Sequence, residues 1–337
     1  MSNDDLKKQI IKKLNSTDNV DIMYGLEDIK DLYPDESPDD EIIDYLITYL
    51  RSEEVILQET SARILGHYPY KKVVKKLTPF LNDPSIEIRN AVNLIFHNLG
   101  NKKEVFDELL PHLQNEDEDI IIFILDILIK VADDSCIEVV LESTTHKNEN
   151  IVLKAFEVIG SIGSRKSEDF FVNKLKEENL DINQKGTIIL QISKLKKDYL
   201  ESFIIDYEKE NESLLSIKCK SLGLFGKKKS FLFLTNILNN YPDKQSLLTY
   251  SLEAISKLAK SCPDDFKIWV KECNTFNIDT YILSEKEKVQ KHAIIILGVL
   301  KPPGYIDTII SFLKGNKKSL KENSLDALSN DDSNKAM

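Results

Sequence analysis

The sequence predicts an all-α protein, a right-handed α–α superhelix or α-solenoid of about eight or nine helical hairpins. Three observations carry that prediction. Apolar residues fall at helical spacing, the same apolar stripe returns every 32 residues, and no segment shows the strict alternation and glycine-bounded turns of a β-hairpin. A hairpin of two amphipathic helices cannot cover its own apolar face, so stacking against neighbours is what yields a continuous core.

The stripe is clearest in "LNDPSIEIRNAVNLIFHNLG", Leu81 to Gly100, where Ile88, Ala91, Val92, Ile95 and Leu99 line one side of a helix. Thirty-two residues on stand Ile120, Phe123, Ile124, Ile127 and Val131, and 64 on stand Val152, Ala155, Phe156, Ile159 and Gly163. At plus 160 the set is Leu248, Ser251, Leu252, Ile255 and Ala259. At plus 96 and plus 128 the match weakens, and helices near Ile182 to Leu195 and Leu214 to Phe225 need a shift of a residue or two, as small turn insertions would give. Between these helices lie shorter amphipathic segments such as "KKVVKKLTPFL", "KEVFDELLPHL" and "SFLFLTNILNN", each closed by a polar break.

With its Asp-Pro turn, an Arg six residues after the Asp, and Ala then Leu or Ile along the second helix, this stretch resembles the HEAT-repeat family in its short, roughly 30-residue form. The resemblance covers about residues 40 to 330, and the full motif occurs once. It implies that second helices line the concave side and that Asp83 and Arg89 can form a ladder between successive turns. In the other well-registered repeats the Arg position holds Ile121, Leu153 and Thr249, so one rung is expected.

A single solenoid is expected over residues 1–329. Residues 1–50 carry 13 acidic against 5 basic side chains and read as a polar cap over the first hairpin. Ile255 and its counterpart Leu297 are 42 residues apart, ten more than a period, which places an insertion within 260–288 around Trp269, Phe276 and Tyr281. A large aromatic is more often buried than displayed, so Trp269 is expected to pack locally. "NSLDALS", Asn323 to Ser329, echoes "YSLEAIS", Tyr250 to Ser256, and marks 316–329 as a final helix with Leu320, Leu325 and Leu328 inward. Residues 330–337 read as a disordered tail.

The chain has 337 residues, 42% of them hydrophobic, and a net charge of -11, which fits a folded, soluble protein. Only Arg51, Arg63, Arg89 and Arg165 are arginines, so the residue best suited to phosphates and guanine is scarce and nucleic acid is an unlikely partner. Cys136, Cys219, Cys262 and Cys273 sit apart with no close pairing, as reduced thiols of a cytoplasmic protein would. The N-terminus lacks the apolar core of a signal peptide, and the most apolar run, Ile120 to Val131, is broken by Asp126 and Lys130, so neither export nor membrane insertion is expected.

No catalytic constellation is present. None of His67, His97, His112, His146 and His292 is followed by Glu, so the paired His-Glu ligands of HEAT-like di-iron hydroxylases are missing, and all five read as surface residues. No Walker loop, nucleophile elbow or dinucleotide fingerprint occurs. Gly226 in "LGLFGKKKS" reads as a helix C-cap, with the lysines after it complementing the helix dipole. No metal, cofactor or enzymatic activity is therefore expected.

What remains is binding: a scaffold, adaptor or regulatory subunit that holds a protein or peptide along the concave face. The competing readings are a ligand-cradling enzyme or accessory subunit, similar to HEAT-like bilin lyases, and, with less weight, a HEAT-like DNA-binding protein. Opposite the core stripe, most repeats are polar: Asn93 and His97 in one, Lys154 and Glu157 in another. Only one repeat presents Ile122, Leu125 and Ile129 there, and these are expected to anchor the partner within that polar rim. The oligomeric state is not legible.

Overall fold

The computed structural model describes residues 3–99, 103–115, 117–208 and 211–329. Among them are 21 α-helices and no strand, so the chain is all-α, with sequential helices packed as antiparallel pairs. The expected tail, 330–337, lies outside the described residues. The chain divides into two compact units, Met1–Ser167 and Glu168–Met337.

The first unit contains α1 (Asn3–Leu14), α2 (Asn19–Leu32), α3 (Asp40–Leu50), α4 (Val55–Leu65), α5 (Lys71–Leu77), α6 (Ile86–Leu99), α7 (Lys103–Leu109), α8 (Glu118–Val131), α9 (Ile137–Ser143) and α10 (Glu149–Ile162). The helix Arg165–Lys174, α11, crosses the boundary. The even-numbered helices α2 to α10 pack side by side as one layer, each against the next. Asp83 and Pro84 stop the preceding 3-10 turn, and the Ser85 hydroxyl then accepts from Ile88 N–H at 3.2 Å, which starts α6. The same capping position is filled by Asp18 before α2, Asp117 before α8 and Asn148 before α10. Ile88, Val92, Ile95, Phe96 and Leu99 then turn inward, each burial contributing roughly 1.5–3 kcal/mol.

Polar bonds between hairpins repeat the period. Tyr68 donates to Tyr33 O at 3.0 Å, Asn148 Nδ2 to Glu118 at 2.6 Å, and Lys166 pairs with Glu138 at 2.7 Å. At the ladder position the outcome differs from the motif. The Asp83 carboxylate is 8% exposed and is held by Arg51 of the preceding hairpin, whereas Arg89 donates to the Asp83 carbonyl at 2.7 Å. Arg51 lies outside the motif, so pattern matching paired the wrong arginine with that carboxylate. At the acidic end of this unit, Lys7 bridges Asp39 at 2.8 Å. Burial alone would raise the Asp39 pKa, but hydrogen bonds from Lys7, Tyr33 and Ile42 N–H outweigh it and bring it down to about 2.

The second unit continues with α12 (Ile182–Lys194), α13 (Asp198–Asp206), α14 (Glu212–Leu222), α15 (Lys228–Asn240), α16 (Gln245–Ser261), α17 (Pro263–Glu272), α18 (Asp279–Ile282), α19 (Glu287–Leu300), α20 (Tyr305–Leu313) and α21 (Lys318–Ser329). Within this unit α12, α14, α16, α19 and α21 pack side by side as one layer, each against the next. Two buried charges fix α13. Glu201 accepts from Ser230 N–H at 2.9 Å and its hydroxyl at 2.6 Å, satisfying the first turn of α15. Lys218, fully buried on α14, donates to the carbonyls of Ile205 and Tyr207 at the end of α13, and burial pushes its pKa down.

Segment 260–288 carries α17 and α18, and its aromatics are core. Trp269, 9% exposed, packs 6.3 Å from Phe231 and 6.5 Å from Phe266 between ring centroids, and Phe276 lies 5.6 Å from Phe231. In α21, Leu320 and Leu328 are buried with Ser324 and Ala327 as one stripe, but Leu325 falls beyond the edge of that stripe, about 140° around the helix from Leu320, and is 58% exposed. Gly226 is left-handed at φ 70°, but it is not the helix cap expected from sequence: α14 ends at Leu222 with Gly223 as its cap, and Gly226 lies in the loop beyond. The lysines after it open α15: Lys227 pairs with Asp198 at 3.3 Å, Lys228 with Glu272, and Lys229 donates to Ser202 at 2.9 Å. Hairpin-to-hairpin pairing, rather than a helix C-terminus, accounts for them.

Of the five histidines only His67 is exposed. His292 is half-buried between α19 and α16, with Nδ1 3.1 Å from the Ser256 hydroxyl, and burial takes its pKa down to about 4 against the pull of Glu253. An unfolded histidine titrates near 6.5, so between about pH 6.5 and 4 the unfolded chain binds the proton first and folding loses stability as pH falls. His292→Gln is expected to flatten that interval by about 1–2 kcal/mol after allowing for screening at a partly solvated site. Urea midpoints of both proteins from pH 7 to 4 check this; parallel curves would leave His292 without a role in it.

Candidate functional site

The even-layer face of the first unit carries all the residues singled out by sequence, and the structure sorts them into two kinds. Leu125 is 0% exposed and Ile122 and Ile129 are half-buried. Because α8 packs against both α6 and α10, its neighbours close the face that the pattern alone would leave open. Leu125 is therefore core rather than an accessible anchor.

The polar residues beside it form a seam. His97 on α6 donates from Nε2 to the Asp126 carbonyl at 3.2 Å, which fixes its tautomer. The Asp126 carboxylate takes Lys154 of α10 at 2.6 Å, and Glu157 stands 3.6 Å from the same ammonium. Burial works to lower the Lys154 pKa, but Asp126 and Glu157 outweigh it and the net shift is upward. Four residues on three helices thus meet: His97, Asp126, Lys154 and Glu157. Asp126 was missed from sequence, where it counted only as an interruption of an apolar run. The signal was available, since Lys154 lies 28 residues on, close to one period. Asn93 is not part of this seam; its amide oxygen is sealed from solvent with no hydrogen-bond partner among the described residues.

The open feature lies one helix earlier. Between α4 and α6 runs a groove of about 390 Å³ lined by Gln58, Glu59, Ala62, Ala91, Leu94 and Asn98, with Arg63 at its wall. Ala62 and Ala91 are small, so the facing helices leave a depression at that level. Leu94 stands over it with 56% of its surface exposed, and Arg63 is tied back to Glu27 of α2. Sequence reasoning did not single out Leu94, which stands two residues before Phe96 and so off the core stripe.

The groove sits in a strongly acidic unit. Residues 1–167 contain 32 acidic and 19 basic side chains, a net charge of -13. Among the described residues, no three His, Cys, Asp or Glu side chains are grouped so as to hold a metal ion, and no helix is long and apolar enough to cross a membrane.

No family model matches the chain, and no curated protein matches it. Solved structures do. An engineered protein aligns over 98% of this chain and 99% of its own at 14% identity and a TM-score of 0.38. A chain from work on a conserved phosphorylation switch in the interaction between cadherin and β-catenin aligns over 96% of this chain and 74% of its own, at 13% identity and a TM-score of 0.35. Kap121p aligns over 97% of this chain and 41% of its own, at 12% identity and a TM-score of 0.46. Likeness at that level carries no inference about partner or activity.

Proposed function

We propose that the chain is a non-catalytic binding scaffold whose first unit holds a cationic amphipathic helix of a partner protein in the α4/α6 groove. One observation supports this above the rest: Leu94 lies half exposed beside an apolar depression floored by two alanines, within a unit of net charge -13. A helix laid in a groove inserts one or two apolar side chains and keeps its charges at the rim. Exposed Glu59 and the surrounding acidic field favour lysine and arginine there, and raise the rate of encounter. Half-buried Ile129 and the Asp126–Lys154 seam would border the partner without anchoring it.

The experiment is a fluorescence anisotropy titration with a 15-residue amphipathic peptide, leucines on one face and lysines on the other. Leu94→Asp is expected to weaken binding about tenfold or more while leaving the melting curve intact, since the side chain is mostly in water. Equal affinity for the variant would remove this groove from the account.

A further inference from the structure

The second unit carries a groove of the opposite character. Two adjoining depressions, of about 340 and 480 Å³, run across α16, α17, α19 and α21 and share Lys267 and Lys301 in their walls. The floor is apolar: Val299 and Ala327 in the first, Val270, Phe276 and Ile278 in the second. It is also fixed in position, because a Cβ built on Gly298 would stand 2.6 Å from Ala327 Cβ, so α19 and α21 approach closely only with glycine there. Around this floor stand four ammonium groups, those of Lys260, Lys267, Lys271 and Lys301, against one lining carboxylate, Asp326.

Lysines at the ends of α16, α17 and α19 complement the helix dipoles, and that accounts for where Lys260, Lys271 and Lys301 sit. It does not account for Lys267, which belongs to the middle of α17 and points into the same groove. Nor does it account for an apolar floor beneath them. Lys260 and Lys271 make no ion pair among the described residues, and Lys267 has only a 3.7 Å contact with exposed Asp264. The setting is distinct as well: residues 168–337 hold 26 basic and 24 acidic side chains, a net charge of +2 in a chain of -11.

We infer that this groove docks an acidic amphipathic segment of a partner protein, its apolar side chains on the Val299–Phe276 floor and its carboxylates among Lys260, Lys267 and Lys271. The site goes beyond the α4/α6 groove and would give the chain two binding surfaces of opposite charge preference. Apolar burial provides the affinity and the lysines choose the partner's sign.

The test uses the full chain and a fluorescein-labelled 16-residue peptide with leucines on one helical face and glutamates on the other, a charge-reversed copy of it, and a single-stranded DNA oligomer. The acidic peptide is expected to bind, at least tenfold tighter than its charge-reversed copy at this groove, and to weaken as salt rises. Lys260→Glu with Lys271→Glu breaks no ion pair and is expected to lower acidic-peptide affinity tenfold or more, with the lysine peptide still bound through Leu94. Val299→Asp provides a second reading through the floor. Unchanged affinity in the lysine double variant, or DNA binding more tightly than the acidic peptide, overturns the inference. Failure of the lysine peptide alone would count only against the α4/α6 groove.

Discussion

Phe231→Ala is expected to destabilise the second unit by about 3–5 kcal/mol, the range for removing a buried phenyl ring from a core that cannot collapse around the gap. Phe231 is fully buried on α15 and its ring meets those of Phe266, Trp269 and Phe276, with centroids 5.4, 6.3 and 5.6 Å away. All three contacts come from α17 and the segment that follows it, so one side chain ties the extra-length repeat to the stack. Aromatic pairs add roughly 0.5–1.5 kcal/mol each beyond the area they bury. Phe231→Leu keeps most of the volume and should cost much less, near 1–1.5 kcal/mol. Urea unfolding followed by Trp269 fluorescence measures both. Equal small effects would mean that segment 260–288 packs independently of α15.

Leu125→Asp is the second large effect, expected to exceed about 4 kcal/mol. Leu125 is fully buried, and Lys154 of the same layer is already held by Asp126 and Glu157, so a carboxylate at position 125 puts an uncompensated charge into a closed core, among the few changes that reach such values. The first unit should lose its cooperative transition by circular dichroism. Ile129→Ser, at a half-buried position on the same helix, should cost about 1–2 kcal/mol and stay folded. A folded Leu125→Asp variant would show that α8 is not enclosed by its neighbours.

Leu125 also shows where reading the sequence stops. The 32-residue stripe identifies helices, their inward faces and their stacking, because those depend on local periodicity and on each hairpin's need to cover its apolar side. Capping residues carry the same period in Asp117 and Asn148 and would have located the helix starts. Whether the other face of α8 is open depends on how closely α6 and α10 approach, a tertiary quantity with no sequence period. The same limit hid Arg51 behind Arg89 at Asp83, and concealed the pairing of Asp126 with Lys154. The grooves were harder still to see. Ala62 and Ala91 make a depression only because they face each other, and Lys260 and Lys301 meet only when α16 and α19 are laid side by side.

The most direct measurement of the scaffold account is photo-crosslinking from position 94, with a benzophenone side chain replacing Leu94 in the intact chain, in cells that make the protein, followed by mass-spectrometric sequencing of the attached segment. The account expects a single dominant product: a segment of another protein with apolar residues at helical spacing and lysine or arginine on the opposite face. A control probe at exposed Leu325 of α21, in the other unit, should not give that product. Products from position 94 that are acidic, or nucleic acid, or the same as those from position 325, would contradict it.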